Sequence, residues 1–492
     1  VTPWIAWAIL VPLAGATLAL VAGPRLGRWI GLATAAASAG AAGALAGQVL
    51  EAGAVRHRVG GWGAPLGIEL LADGLSALMV LMTAAVGLGV TVHAFAYFQD
   101  APGAPAEEVR EGRVRRLLFW PLWLFLWAAL AALFLTRDVF NVYVTLELVG
   151  LSSVALIALA GDAAALGAAA RYLVLALLGS LAYLLGVGVL YAATGTLDAD
   201  GLRAALAPGL VATAAGALVL AGLALKSALF PLHGWLPPAH ARAPSPVSAV
   251  LSALVVKASF YLSVRWAGEV LPPGLLPGAA DLLGLLGAGA ILWGSVQALR
   301  QERLKQVVAY STVAQLGYLF LFFPLSRGLA AAEALRGAAV FAVAHALAKA
   351  ALFLSAGSVL HGLPSDRLED LRGLGTRMPL TAAAFAVGSL SILALPPSGG
   401  FAGKWLLLSA ALRDARWGVV GVMLTGGVLA AAYTFRVLEQ VISPAPDESH
   451  VHAPAAMQGA ALVLAAAAVG LGMVPWAPLE LLAAAPPAGG AP

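Results

Sequence analysis

Apolar residues fill this chain in long runs, each closed by a short connection rich in Gly, Pro or charge. An α-helix rises 1.5 Å per residue, so roughly 20 apolar residues cross a hydrocarbon layer of about 30 Å. Fourteen stretches meet that length: 3–22, 28–49, 70–97, 117–136, 138–160, 168–193, 209–230, 244–267, 278–298, 304–324, 330–360, 379–397, 416–441 and 456–475. The pattern predicts an all-α, polytopic membrane protein of about 14 transmembrane helices. Short helical pieces are expected at 231–241 and 399–412, after the seventh and twelfth stretches. An even count puts both termini on one side. The first stretch begins at once, with no basic segment ahead of it, and reads as a retained span rather than a cleaved leader. The tail 476–492 is rich in Pro, Ala and Gly and is expected to be disordered.

Composition agrees with the pattern. The chain is 61% hydrophobic and 11% charged, against about 25% charged in soluble domains. A net charge of +4 gives no reason to expect nucleic acid. There is no cysteine, hence no disulfide, thiolate metal site or iron–sulfur ligation. No cofactor motif is found, so no cofactor or bound metal is expected. The connections after odd-numbered spans hold fifteen of the cations, against nine on the other side. Cytoplasmic loops carry the excess of Lys and Arg. This places the odd connections inside and both termini outside a bacterial or archaeal cytoplasmic membrane. Trp120, Trp123 and Trp127 near the start of the fourth span, and Trp4, Trp29, Trp266 and Trp417 near other span ends, suit interfacial belts; lipid-facing packing fits the three close-set ones equally. The connection 98–116, with Glu107, Glu108, Arg110, Glu111, Arg113, Arg115 and Arg116, reads as a solvated loop.

Charge inside the spans changes the picture more. Of 28 basic residues only Lys226, Lys257, Lys305, Lys349 and Lys404 are lysine. Four fall inside apolar stretches, and Lys305 reads as part of a polar connection. An ionisable residue within a bilayer is by default a functional-site candidate. Lysine can release its proton when desolvated, whereas arginine cannot. Glu147 is the one strongly placed carboxylate in a span, with eight or more span residues on either side. It is a member of a proton path or a structural carboxylate bonded to neighbouring helices. Lys226 precedes Pro231 in Lys226-Ser-Ala-Leu-Phe-Pro231-Leu-His233, and proline lacks the N–H that continues a helix. The helix should break there, freeing carbonyls beside the ammonium and admitting water. His233 and His240 lie beyond the break as secondary or water-intake residues. Lys257 sits mid-span, as a proton carrier or a snorkelling lysine. His345 and Lys349 stand at i,i+4 on one helix face. Two like charges there would repel, which suits a relay holding one proton at a time; a neutral, hydrogen-bonded His345 is the other reading. Pro396, Pro397, Gly399 and Gly400 interrupt the twelfth stretch just before Lys404.

Two proline-broken helices in corresponding halves point to inverted repeats with sites at the breaks. The expected organisation is N-terminal spans 1–3 over 1–116, a first half-channel over 117–267 (spans 4–8), a second over 278–441 (spans 9–13), a final span at 456–475 and the tail 476–492. Each repeat has five helices, with helices 7 and 12 broken.

The stretch Leu225-Lys226-Ser-Ala-Leu-Phe-Pro-Leu-His-Gly-Trp-Leu-Pro-Pro-Ala-His240, followed by Ala243-Pro-Ser-Pro-Val-Ser248 and Lys257, resembles the proton-conducting antiporter-like membrane subunits. These include Mrp-type cation/proton antiporter subunits, complex I antiporter-like subunits and related hydrogenase subunits. Leu304 to Tyr318, His345 to Gly357 and Pro396 to Trp405 extend the likeness across spans 3–13. The resemblance implies that Glu147 and Lys226 form the family's glutamate–lysine pair. It implies that Lys257 connects, that His345 and Lys349 are central, and that Lys404 ends the second half-channel. Gln315 stands where some members carry histidine, and Pro238 where relatives often carry aspartate. The lysine at 404 resembles the Mrp D subunit or one complex I subunit type, rather than the type with glutamate, and the end of the chain after span 14 favours an Mrp D-type subunit. The implied function is proton translocation in a multisubunit Na+/H+ antiporter, with other membrane subunits as partners. The alternative is the same role in a complex I or hydrogenase-type redox complex. In either case the chain is a transporter subunit rather than a catalytic one.

Overall fold

The computed structural model describes residues 4–99, 106–272, 274–363, 365–444 and 452–484, with the side chains of 106–111 left aside. Its helices are α1 (Trp4–Ala52), α2 (Gly74–Tyr97), α3 (Ala106–Leu135), α4 (Val139–Ala158), α5 (Ala163–Thr194), α6 (Ala199–Ala205), α7 (Leu210–Lys226), α8 (Leu236–Arg242), α9 (Ser245–Val250) and α10 (Val256–Arg265). There follow α11 (Ala279–Arg300), α12 (Leu304–Phe320), α13 (Phe322–Leu325), α14 (Ala331–Gly362), α15 (Leu374–Arg377), α16 (Pro379–Leu393), α17 (Gly399–Arg413), α18 (Trp417–Ile442), α19 (Ala455–Met473) and α20 (Trp476–Ala484). Eleven helical segments among the described residues are long and apolar enough to cross a membrane, and α7 and α16 are shorter apolar helices. The first long segment is two helices joined at Gly23, whose φ of 74° no regular helix accommodates. Helices therefore lie on all the apolar stretches read from the sequence.

Helix starts follow capping chemistry. Asp138, Asp162 and Asp198 each accept a backbone N–H three residues on, opening α4, α5 and α6. Asp73 and Ser76 form a reciprocal capping box at α2. One departure from an all-helical chain is a small hairpin in the connection before α2. There β1 (Val55–Arg58) pairs antiparallel with β2 (Glu69–Ala72), Val55 opposite Ala72. The alternating Val-Arg-His-Arg pattern suits a strand half out of solvent.

The interior is built around α14, buried along its whole apolar length, with the α9–α10 segment and α12 nearly so. The flanking α1, α18 and α19 keep more of their surface outward. Small residues set the close helix crossings, as packing-driven association in lipid favours. A Cβ on Gly222 of α7 would lie 2.4 Å from the Gly179 carbonyl of α5, and one on Gly403 of α17 2.6 Å from Phe341 of α14.

Three expectations need correction. The tryptophans of α3 are neither interfacial nor lipid-facing: Trp120, Trp123 and Trp127 are buried. Gly31 and Gly87 leave room for Trp120 and Trp127, and the Trp123 Nε1–H donates to Thr91 Oγ1 at 2.9 Å. Residues 476–484 form α20, with Leu481 buried against Gly74, rather than a disordered tail; 485–492 lie outside the described residues. Residues 106–116 continue into α3 instead of forming a free loop, while 100–105 lie outside the described residues.

Candidate functional site

Helix α7 ends at Lys226, ahead of Pro231 itself, and Ala228 takes a positive φ of 52°. Pro231 then starts the short 3-10 turn Leu232–Trp235. The Lys226 ammonium turns towards α4. It donates to the Leu146 carbonyl at 3.3 Å and stands 3.9 Å from Glu147 Oε1. Gly179 makes the space, since a Cβ there would sit 3.0 Å from Lys226 Cγ. Glu147 Oε1 is buried with no hydrogen-bond donor of its own. The glutamate and lysine singled out by resemblance are thus brought together.

A second group forms around α10, α12 and α14. The residues before Lys257 are a π-helical turn, Leu251–Val255, so Lys257 does not follow a regular helix as the sequence suggested. Its ammonium donates to the Ser252 carbonyl. The Ser252 hydroxyl pairs with Thr312 Oγ1 at 2.8 Å, and Thr312 Oγ1 donates to the Val308 carbonyl at 3.0 Å. That same carbonyl takes the Lys349 ammonium at 3.0 Å, and Lys349 also donates to Ser311 Oγ. His345, one turn before Lys349, is buried with neither ring nitrogen partnered, and it stacks on Phe341.

Lys404 lies on α17, beyond the second break. Its ammonium donates to the Ile392 carbonyl at 3.2 Å and sits 4.0 Å above the Tyr318 ring. The break spans Ala394 to Pro397, and Ser398 caps α17 through the Phe401 N–H at 3.2 Å. Gly399 and Gly400 open α17 instead of interrupting it. A Cβ on Gly400 would fall 1.8 Å from the Ser391 carbonyl, so its smallness serves packing. Gln315 donates to the Tyr433 hydroxyl at 3.2 Å.

Not every candidate joins these groups. Among the described contacts none links Lys226 to Lys257, although α7 packs on α10. His233 is half-buried and stacks on Phe230, apart from the lysines. His240 is fully buried against Phe353 with both ring nitrogens unpartnered. Lys305 is not in an open polar connection: it is 4% exposed at the start of α12 and donates to the Ala243 carbonyl at 2.5 Å.

Sequence reasoning also missed an ion-pair chain at one end of the bundle. Asp73 pairs with Arg265 at 2.5 Å, Arg265 and Arg137 share Glu269, and Arg137 reaches Asp200 at 2.5 Å. Arg56 joins Asp200 at 3.0 Å. Burial alone would raise the Asp73 carboxyl, but Arg265 and the Ser76 donors outweigh it and hold it below the ordinary range. Burial acts the same way on Asp200, which Arg137 and Arg56 also bring below that range. The Arg137 guanidinium, disfavoured by burial, is kept charged by Glu269 and Asp200. The available signal was the spacing of four through Lys257, Tyr261 and Arg265 on one face of α10, continued to Glu269 in the π-helical turn Trp266–Val270 that follows it.

Residues 136–430, which contain most of these groups, match the family described as NADH:quinone oxidoreductase/Mrp antiporter, TM. The chain is 36% identical over 490 residues to NADH-quinone oxidoreductase subunit N of Desulforudis audaxviator, with 94% of each covered. It is 29% identical over 438 residues to the D subunit of the Na(+)/H(+) antiporter of Bacillus subtilis, covering 87% of this chain and 85% of that one. It superposes on a chain of the Mrp complex from Dietzia sp. with a TM-score of 0.86 at 25% identity, covering 98% of this chain and 97% of that one. The apolar helices and these likenesses identify a multi-pass membrane protein, and the chain belongs to the NADH:quinone oxidoreductase/Mrp antiporter transmembrane family.

Proposed function

We propose that this chain is the proton-translocating subunit of a multisubunit monovalent cation (Na+)/H+ antiporter, of the Mrp D type. Protons move along a mid-membrane axis, Glu147–Lys226–Lys257–(His345, Lys349)–Lys404. The observation that carries the reading is how the buried lysines are held. Among the described contacts, Lys257, Lys349 and Lys404 meet backbone carbonyls, a hydroxyl and an aromatic face, not carboxylates. A lysine held this way can carry a proton and give it up; an arginine could not.

Glu147 biases one end. While it is ionised, the Lys226 ammonium keeps its proton. When Glu147 is neutralised or the pair separates, that stabilisation vanishes and the proton passes to Lys257. His345 and Lys349 take it in turn, one charge at a time, and Lys404 ends the axis. His233 and His240 lie on the water-intake side of the first break, and Pro231, Pro396 and Pro397 make the two breaks. The axis supports the division into 1–116, half-channels 117–267 and 278–441, and the last span 456–475. In both halves a glycine contact fixes the lysine-bearing helix against a longer one: Gly222 on α5, Gly403 on α14.

The contacts between connections support fourteen crossings. Those after even spans, with the span starts they lead into, meet each other, as in Arg56–Asp200, Arg327–Asp281 and Arg416–Asp281. Those after odd spans do likewise, as in Arg303–Asp366 and the Gly373 N–H on the Ser443 carbonyl. With the excess of cations on the odd connections, this favours the cytoplasmic membrane with both termini outside.

The partners are other membrane subunits, as the likeness to a chain of the Mrp complex supports. The chain itself supplies no catalytic group in this reading. A second reading has its own support in the 36% identity to a NADH-quinone oxidoreductase subunit: the same axis would serve a redox-driven complex. The subunits that copurify with the chain separate the two. The axis is tested with Lys226→Ala in the reconstituted complex. Exchange of Na+ for H+ is expected to disappear while the subunits still copurify, and full exchange in that assembled variant would overturn the scheme.

A further inference from the structure

Lys305 is a buried cation that the axis does not use. It lies at the start of α12, on the side of the odd-numbered connections, and its ammonium donates to the Ala243 carbonyl that ends α8. Beside it stands Asp366, whose Oδ2 accepts the Lys305 backbone N–H at 3.2 Å. Asp366 Oδ1 accepts from Arg303 at 3.1 Å, and the Arg303 side chain is 57% exposed. Inward of it stands His240, three residues before Ala243, fully buried with both ring nitrogens unpartnered. Its ring stacks on Phe353, which stands one turn after Lys349 on α14. Charge and titratable groups thus run from an exposed arginine, through Asp366, Lys305 and His240, to the two central lysines.

We propose that Lys305 and His240 form a proton intake that feeds the middle of the axis from the odd-connection face, so that of the two histidines beyond the Pro231 break His240 serves the central lysines. The proposal rests on the transport reading above. In the step, an N–H bond of the Lys305 ammonium breaks and an N–H bond forms at the free ring nitrogen of neutral His240. The imidazolium then gives its other proton to whichever of Lys257 and Lys349 is a neutral amine. Lys305 recovers its proton from water at the Asp366 face, where the carboxylate draws cations in. The order suits the charges. An imidazolium facing two ammonium groups is disfavoured, so His240 accepts only when a central lysine has just emptied.

A structural role for Lys305 would need only its charge and its bond to Ala243, and an arginine supplies both. An arginine cannot release a proton. The test is therefore Lys305→Arg in the whole complex, beside Lys305→Met and Lys226→Ala. Exchange is followed in vesicles whose outer medium bathes the Asp366 face, across a pH series on that face. Both Lys305 variants are expected to assemble, to slow exchange by about a hundredfold, as loss of a positioned acid–base group does, and to lose the wild-type dependence on that pH. Wild-type rate and pH dependence in assembled Lys305→Arg would overturn the intake. Should Lys305→Arg not assemble, His240→Phe decides: it keeps the stacking on Phe353 and removes both nitrogens, so undiminished exchange there has the same force. If Lys226→Ala is inactive while Lys305→Arg is normal, only the intake falls. If Lys226→Ala is fully active, the transport reading itself fails.

Discussion

The Glu147–Lys226 pair gives the sharpest quantitative prediction. Its charged atoms are 3.9 Å apart, with both side chains largely out of solvent. At an effective dielectric near 20, such charges attract by about 4 kcal/mol. Glu147→Gln removes that attraction while keeping shape, an expected shift of about a thousandfold in how often Lys226 is found charged. Glu147→Asp withdraws the carboxylate by about one bond, 1.5 Å, and the attraction falls to about 3 kcal/mol. The remaining shift is about five- to tenfold. The two variants should therefore separate in proteoliposomes carrying the whole complex, with Na+-driven pH change read by a trapped dye. Glu147→Asp should keep a reduced rate, and Glu147→Gln should fall to background. Equal rates for the two, with subunits assembled, would refute a mechanism in which charge at 147 sets the proton on Lys226. A geometric role alone would favour the glutamine, whose length is native.

Asp73→Asn should preserve the cap of α2, because Asn caps as well as Asp, but should strand part of the Arg265 charge. Breaking a buried pair in this way typically costs about 3–5 kcal/mol, read here as a lower unfolding midpoint of the purified complex. The same chain sets the sign of acid sensitivity. Asp73 and Asp200 titrate below ordinary carboxylates in the fold, so their contribution is complete above the unfolded value near 4 and is lost as pH falls through the lower folded values. The midpoint should hardly move between pH 8 and 6 on their account and should fall in stronger acid; a rise there would contradict the network. Gly222→Val would set a Cβ 2.4 Å from the Gly179 carbonyl, one turn from Lys226. Overpacking of about 1–3 kcal/mol and slowed exchange are expected, while Gly188→Ala, with open space at its Cβ, should leave both unchanged.

The span pattern was legible because the length and apolarity of a crossing are properties of a single segment. So were the two breaks, since proline acts on its own helix. What a side chain meets across helices was not. Arg137 and Arg265 each sit at a span end, where a sequence alone leaves a cation solvated; their burial follows from Asp73 and Glu269, brought from other segments or another turn. Lys305 read as exposed because it follows Gln301-Glu302-Arg303, yet Ala243 and Asp366 fold over it from distant connections. The tryptophans of α3 misled in the opposite direction, since glycines on α1 and α2 open the space that buries them. The π turn before Lys257 leaves no mark in hydrophobic periodicity.

The two ends of the axis differ in a way that bears on how it could run. Lys226 closes the helix before its break and faces a carboxylate that can itself be neutralised. Lys404 stands five residues beyond the start of the helix after its break, over a tyrosine ring that holds its charge by a fixed quadrupole. The first end can be switched by one proton on Glu147; the second has no such switch among its described contacts. Between them, the carbonyls that hold Lys257 and Lys349 belong to residues joined through Ser252 and Thr312, so movement of one anchor is felt at the other. Repeated architecture with unlike ends gives a sequence of events its starting point: control enters where the partner can titrate, and the middle and far end respond to the charge they receive.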